Sequence, residues 1–205
     1  MKSKTSDSEK IQKAIHPDPH SYLGMHSKGD NAMVVRAFLR NVRSCEVVDI
    51  HGDPERRYPM ARISPEGLYE VTIPGRNDFF TYRLRVEQAN GEIRQFYDPY
   101  SFLPSIDEKG IYYFSEGSDR RPYTKLGAHV RTINGISGVA FAVWAPSAKR
   151  VSVVGDFNQW DGRYHPMRIL GSSGIWELFV PGLEEETCYK YEIRGAEGQL
   201  ILKSD

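Results

Sequence analysis

The run Gly155-Asp156-Phe157-Asn158-Gln159-Trp160-Asp161-Gly162 concentrates the side chains best suited to chemistry in this sequence. It follows a strand-like segment and sets two aromatic rings among short polar turn-formers. A flat indole on a loop can stack on the apolar C–H face of a pyranose, while neighbouring amide and carboxylate groups bond sugar hydroxyls. The same composition also suits a plain turn. In that case Phe157 and Trp160 close the end of a β-sandwich, and Asp156 and Asn158 bond backbone.

Other residues of chemical interest are more dispersed. Trp176 alternates with Leu178 and Val180, the spacing of a core-facing strand position, while Trp144 precedes Ala145-Pro146 at a strand end and suits either core or surface. The histidines, His16, His20, His26, His51, His129 and His165, lack the paired spacing of a zinc ligand set. His16 and His20 bracket Pro17-Asp18-Pro19, a rigid turn. The sequence carries no G-x-S-x-G, P-loop or G-x-G-x-x-G motif, and no feature pairs two carboxylates across a cleft as glycoside hydrolysis requires. The expectation is a chain with no catalytic residue, no metal site and no cofactor.

The elements that must position the aromatic turn are strands. Tyr189, Tyr191 and Ile193 alternate with Lys190, Glu192 and Arg194, as on a half-buried antiparallel strand, and Tyr82-Arg83-Leu84-Arg85-Val86-Glu87 shows the same split. The two halves repeat each other. Pro59-Met60 and Pro166-Met167, Gly67-Leu68-Tyr69-Glu70 and Gly174-Ile175-Trp176-Glu177, Pro74-Gly75 and Pro181-Gly182, and Tyr82 and Tyr189 are each 107 positions apart, as 189 is from 82. In that register Asp98 of Asp98-Pro99-Tyr100 falls on Asp205, so the polypeptide is expected to continue with Pro-Tyr. Short strands between Gly and Pro turns, with no helix alternating between them, predict an all-β chain of two tandem immunoglobulin-like antiparallel β-sandwiches. Ser6-Asp7-Ser8-Glu9 predicts a short N-terminal helix ended by Pro17 and Pro19. Ser105-Ile106-Asp107-Glu108 predicts a short helical connector with Ile111 and Phe114 on one face. The expected organisation is an N-terminal helical segment over 1–19, a first sandwich over 20–104, a connector over 105–124 and a second sandwich over 125–205.

Composition narrows the partners. Lys+Arg and Asp+Glu both total 27 among 205 residues, which offers neither a basic face for nucleic acid nor an acidic tail. The longest apolar run, Val139 to Ala145, is far short of the ~20 residues that span a bilayer, and the first fifteen positions lack the apolar core of a secretory signal. Cys45 and Cys188, one in each half, read as ordinary thiols of a reducing cytoplasm.

Ordered motifs along the chain carry a resemblance. His16-Pro17-Asp18-Pro19-His20-Ser21-Tyr22-Leu23-Gly24-Met25-His26, Val35-Arg36-Ala37-Phe38, Asp98-Pro99-Tyr100, Leu126-Gly127-Ala128-His129, Phe141-Ala142-Val143-Trp144-Ala145-Pro146 and Val153 to Met167 resemble the N-terminal region of bacterial 1,4-α-glucan branching enzymes. Gly174 to Leu183 and Tyr189 to Arg194 extend it. The resemblance implies two β-sandwich modules of the isoamylase N-terminal and glycogen-binding type, preceding a catalytic barrel of the α-amylase class that these residues do not include. It implies glycogen synthesis in the cytoplasm, by cleavage of an α-1,4 link and transfer of the chain to a 6-hydroxyl. This chain alone is expected to be inactive.

The same resemblance implies a weak α-glucan site at Trp160 and Lys190, with Asn158 from the same turn. The second tryptophan of glycogen-binding modules has no counterpart in Leu200 to Lys203, and the first module has Ile50-His51-Gly52-Asp53-Pro54 in place of the aromatic turn. The alternatives are a stand-alone glucan-binding or regulatory β-sandwich protein, or an interaction module with no sugar ligand.

Overall fold

The computed structural model describes residues 6–29, 31–52 and 54–205. The chain divides into two compact units. One comprises the stretch ending at Gln12 with His20–Ser101, and the other comprises Lys13–Pro19 with Phe102–Asp205.

In the first unit, α1 (Asp7–Gln12) starts where the Ser6 hydroxyl accepts from Glu9 N–H at 3.3 Å. It ends at Gln12, ahead of the stop expected at Pro17, and the chain turns left-handed at Ala14, φ 47°. Eight strands follow among the described residues: β1 (Gly24–Ser27), β2 (Ala32–Phe38), β3 (Val42–Asp49), β4 (Arg56–Pro59), β5 (Ala61–Arg62), β6 (Leu68–Pro74), β7 (Tyr82–Gln88) and β8 (Ile93–Tyr97). They form two antiparallel sheets, β1-β2-β6-β5 and β4-β3-β7-β8. Period-two alternation turns Met33, Val35 and Ala37 of β2 and Tyr69 and Ile73 of β6 toward Cys45, Val47, Tyr82, Leu84 and Val86 of the facing sheet. Ile11 of α1 packs on the far side of the first sheet with Leu23, Phe38 and Leu68.

The second unit repeats this topology with β9 (Gly127–Ile133), β10 (Ile136–Trp144), β11 (Arg150–Gly155), β12 (Arg168–Ile169), β13 (Ile175–Pro181), β14 (Tyr189–Arg194) and β15 (Leu200–Lys203). Its sheets are β12-β13-β10-β9 and β11-β14-β15. Each unit is thus an immunoglobulin-like antiparallel sandwich. Where the first unit pairs β4 with β3, the second has only a bridge between Ser152 and Pro166, and the freed chain forms the aromatic turn.

The connector helix α2 (Glu108–Ser115) is capped by Asp107, whose carboxylate accepts from Gly110 N–H at 2.8 Å. Ile111 and Phe114 pack on Ile106, Ala142, Leu170 and Ile175. Gly110 is a poor helix former that belongs here, because a Cβ would lie 2.9 Å from Asp107 Oδ1 and 3.2 Å from Ile106 Cγ2. No described helix is long and apolar enough to cross a membrane.

Equivalent residues of the two units make the same hydrogen bonds. Tyr82 Oη donates to Asp98 Oδ2 at 2.6 Å, and Tyr189 Oη to Asp205 Oδ2 at 2.7 Å. A second repeat, Leu23-Gly24-Met25-His26 and Leu126-Gly127-Ala128-His129, escapes the 107-residue register. In both, the histidine Nε2 lies 2.9 Å from the leucine carbonyl, His26 on Leu23 and His129 on Leu126.

Candidate functional site

The aromatic turn begins where β11 ends. Gly155 is extended, and a Cβ there would collide with the Cys188 carbonyl and the Phe157 ring, so the strand can end this close to its neighbour only with glycine. Residues Asp156–Asn158 form one 3-10 turn, and Gln159 and Trp160 then both adopt left-handed backbone at φ 58°. Left-handed backbone costs an L-residue about 1–2 kcal/mol, so two in succession persist only because the surroundings hold them. Trp160 N–H donates to the Gly155 carbonyl at 2.9 Å and closes the turn. The chain then returns beside β11, with Val153 N–H on His165 O at 3.1 Å and Met167 N–H on Val151 O at 2.9 Å.

Phe157 and Trp160 have different surroundings. Phe157 lies nearly parallel to the buried Phe141 at 6.4 Å and meets His165 edge-on at 5.5 Å, closing the sandwich. Trp160 is 42% exposed, and its indole N–H is tied to Asp156 Oδ1 at 2.8 Å. The edge of the indole is therefore fixed while much of the ring stays open to solvent. Beside it, Arg163 makes a two-pronged pair with Asp161, Nε to Oδ1 at 2.8 Å and Nη2 to Oδ2 at 2.6 Å.

Asn158 does not share that exposure. It is buried, its Oδ1 accepts from Gly155 N–H at 2.9 Å, and its Nδ2 lies 2.9 Å from both Val153 O and His165 Nδ1. Those bonds employ the oxygen and both amide hydrogens, so Asn158 supports the turn from within. Burial pushes the His165 imidazolium down to about 4, which keeps the ring neutral at ordinary pH. Lys190 is half-buried on β14, opposite Val154 and next to the Gly155–Tyr189 pair, at the end of the sheet from which the turn springs.

The other tryptophans are held by one bond each. Trp176 is buried and donates to Ala145 O at 3.0 Å, while Trp144 is 55% exposed, donates to Ser173 O at 3.2 Å and meets Phe114 edge-on. At the matching corner of the first unit the buried Asp49 accepts from Arg76 Nη1 at 2.5 Å and from His51 N–H at 3.1 Å. Asp53 of that corner lies outside the described residues. Among the described residues, no three His, Cys, Asp or Glu side chains are grouped to hold a metal ion.

Residues 125–205 match carbohydrate-binding module 48, the isoamylase N-terminal domain, and residues 4–100 match the alpha-1,4-glucan branching enzyme N-terminal domain. The chain belongs to the N-terminal region of the glucan branching enzyme family. It is 47% identical over 199 residues to the 1,4-alpha-glucan branching enzyme GlgB of Myxococcus xanthus strain DK1622, covering 96% of this chain and 26% of that protein. The enzyme of the same name from Paramagnetospirillum magneticum strain AMB-1 is 43% identical over 204 residues, covering 98% of this chain and 26% of its own. That from Pseudomonas fluorescens strain Pf0-1 is 45% identical over 199 residues, covering 97% and 26%. The chain thus spans about a quarter of the length of the curated relatives it matches. Within this branching-enzyme region, the aromatic turn lies in the carbohydrate-binding module.

Proposed function

We propose that this chain is the non-catalytic, glucan-engaging part of a cytoplasmic 1,4-α-glucan branching enzyme, and that its second sandwich offers Trp160 as a stacking platform to an α-glucan. The whole enzyme would cleave an α-1,4 link and pass the chain to a 6-hydroxyl, with its carboxylates in a barrel outside these residues. The observation that carries the reading is the exposed Trp160 indole, clamped to Asp156 on a strained turn within a carbohydrate-binding module. Such a ring is prepared for the flat face of a glucose unit, and ordering it in advance lowers the entropic cost of binding. Lys190 would serve as a hydrogen-bond donor at the edge of the platform. Asn158 would act indirectly, by holding the turn. One stacking face with a few solvent-exposed hydrogen bonds supports a Kd on the order of 1 mM for a short glucan, lowered in effect by the many chain ends of glycogen.

The test is retardation in native gels containing glycogen. Trp160→Ala is expected to abolish the retardation of the wild type with the melting temperature little changed, and Trp144→Ala, which alters another exposed indole, to retain it. Undiminished retardation of Trp160→Ala would overturn the assignment.

A further inference from the structure

The hydrogen bonds of Asn158 extend to His165. Gly155 N–H needs an acceptor, so the side-chain oxygen of Asn158 must face it, at 2.9 Å. The amide nitrogen then has two hydrogens, and it has two neighbours at 2.9 Å, Val153 O and His165 Nδ1. Val153 O can only accept. His165 Nδ1 must therefore accept as well, which fixes the imidazole as the neutral form protonated at Nε2. A proton on Nδ1 would point at an amide hydrogen. Rotating the amide to receive that proton would turn its nitrogen on Gly155 N–H and leave the Val153 carbonyl without a donor. No rearrangement of the three groups satisfies all of them once the ring is charged.

We infer that His165 is a positioning residue for the Trp160 platform, its neutral Nδ1 locking Asn158 and through it the strained Gly155–Trp160 turn. The path is short: His165 Nδ1 to Asn158 Nδ2, Asn158 Oδ1 to Gly155 N–H, and Gly155 O to Trp160 N–H at 2.9 Å. Phe157, seated between Phe141 and His165, adds an apolar wall to the same ring. The charged and titratable groups on the surrounding elements are Asp156, Asp161, Arg163 and Tyr164 of the turn, Arg150 of β11, Tyr189, Lys190, Tyr191, Glu192 and Arg194 of β14, and Arg168 beyond Met167. Asp161 is paired with Arg163, and Glu192 with Arg150. Burial, and not one of these charges, is the cause that depresses the imidazolium to about 4. The lock therefore opens on acidification toward that value. The inference rests on the glucan reading for its functional consequence, while the lock itself is testable without sugar.

Two variants of the full chain separate the cases. His165→Asn places a carbonyl oxygen near the position of Nδ1 and does not titrate, whereas His165→Ala removes the acceptor. In NMR spectra without glucan, the Asn158 side-chain amide hydrogens are expected to exchange slowly in wild type and in His165→Asn at pH 7. They should exchange at least tenfold faster in His165→Ala. Lowering the pH toward 4 should release them in wild type and not in His165→Asn. Glycogen retardation should fall at least threefold in His165→Ala and be kept by His165→Asn. Equal exchange in all three proteins, or the same acid response in wild type and His165→Asn, overturns the lock. If exchange behaves as expected while neither His165→Ala nor Trp160→Ala changes retardation, the lock stands and the glucan assignment of Trp160 fails.

Discussion

Tyr82 and Asp98 are joined by a 2.6 Å hydrogen bond between two buried side chains, and the repeat reproduces it at the surface as the 2.7 Å bond from Tyr189 to Asp205. The same interaction in two environments gives a direct measure of what burial adds. Removing the Tyr82 hydroxyl leaves a buried carboxylate with one fewer donor, for which about 1–3 kcal/mol is expected. In urea denaturation Tyr82→Phe should lose that amount, and Tyr189→Phe less than about 1 kcal/mol. Equal losses would show that burial of Asp98 contributes nothing to the bond.

Acid is expected to act in opposite directions on the two units. Burial raises Asp98 from an ordinary value of 3.8 to about 6, against the opposing hydrogen bonds from Tyr82 and Tyr100. Between those values the folded unit holds a proton that the unfolded chain lacks, so its stability rises as pH falls from about 6 to about 4. His165 falls from an ordinary 6.5 to about 4, so the unfolded chain is protonated first, and stability falls over that interval. Melting temperatures from pH 7 to 4 check both signs. The advantage of Asp98→Asn over wild type should shrink on acidification, and that of His165→Asn should grow.

Relieving the strained turn should stabilise the protein. Gln159 is exposed and left-handed, and glycine adopts that backbone without the steric cost of about 1–2 kcal/mol. Glycine also loses more entropy on folding, so Gln159→Gly is expected to gain a net amount of roughly 0.5–1 kcal/mol. A lower midpoint in denaturant than wild type would mean that the Gln159 side chain contributes a contact outweighing the strain.

Arg168 and Glu177 form a buried ion pair across β12 and β13, Nε to Oε2 at 2.9 Å. Arg168 Nη1 also donates to Phe102 O at 3.0 Å, and Glu177 Oε1 accepts from Ser105 N–H at 3.0 Å, so the pair fastens the start of the connector to the second sandwich. Arg168→Met strands a carboxylate with no solvent exposure and should cost about 3–5 kcal/mol. Replacing both residues by methionine should recover most of that loss, because exchanging a buried ion pair for apolar side chains is often neutral. A double variant no more stable than Arg168→Met would show that the bonds to Phe102 and Ser105 dominate.

The strands with a buried face were legible in the sequence because their information is local. Tyr189, Tyr191 and Ile193 alternate with charges, and a single buried face forces that period on any strand. The 107-residue register carried further, since it aligned Tyr82 with Tyr189 and Asp98 with Asp205 before any hydrogen bond was visible. The N-terminal helix was announced by Ser6, while the connector helix starts later than the Ser105-to-Glu108 box implied, with Asp107 as its cap. Strands β1, β4, β5, β9 and β12 are less legible. They are short or lie at sheet edges, and their pairing comes from partners that local periodicity does not reveal. The turn divided in the same way. Its residue types announced aromatic and polar groups together, but the tertiary structure decided that Phe157 closes the core, Asn158 is consumed by Gly155, Val153 and His165, and Trp160 stays open. A polar side chain takes its role from the groups that reach it, and those were brought to Asn158 by the return of the chain beside β11.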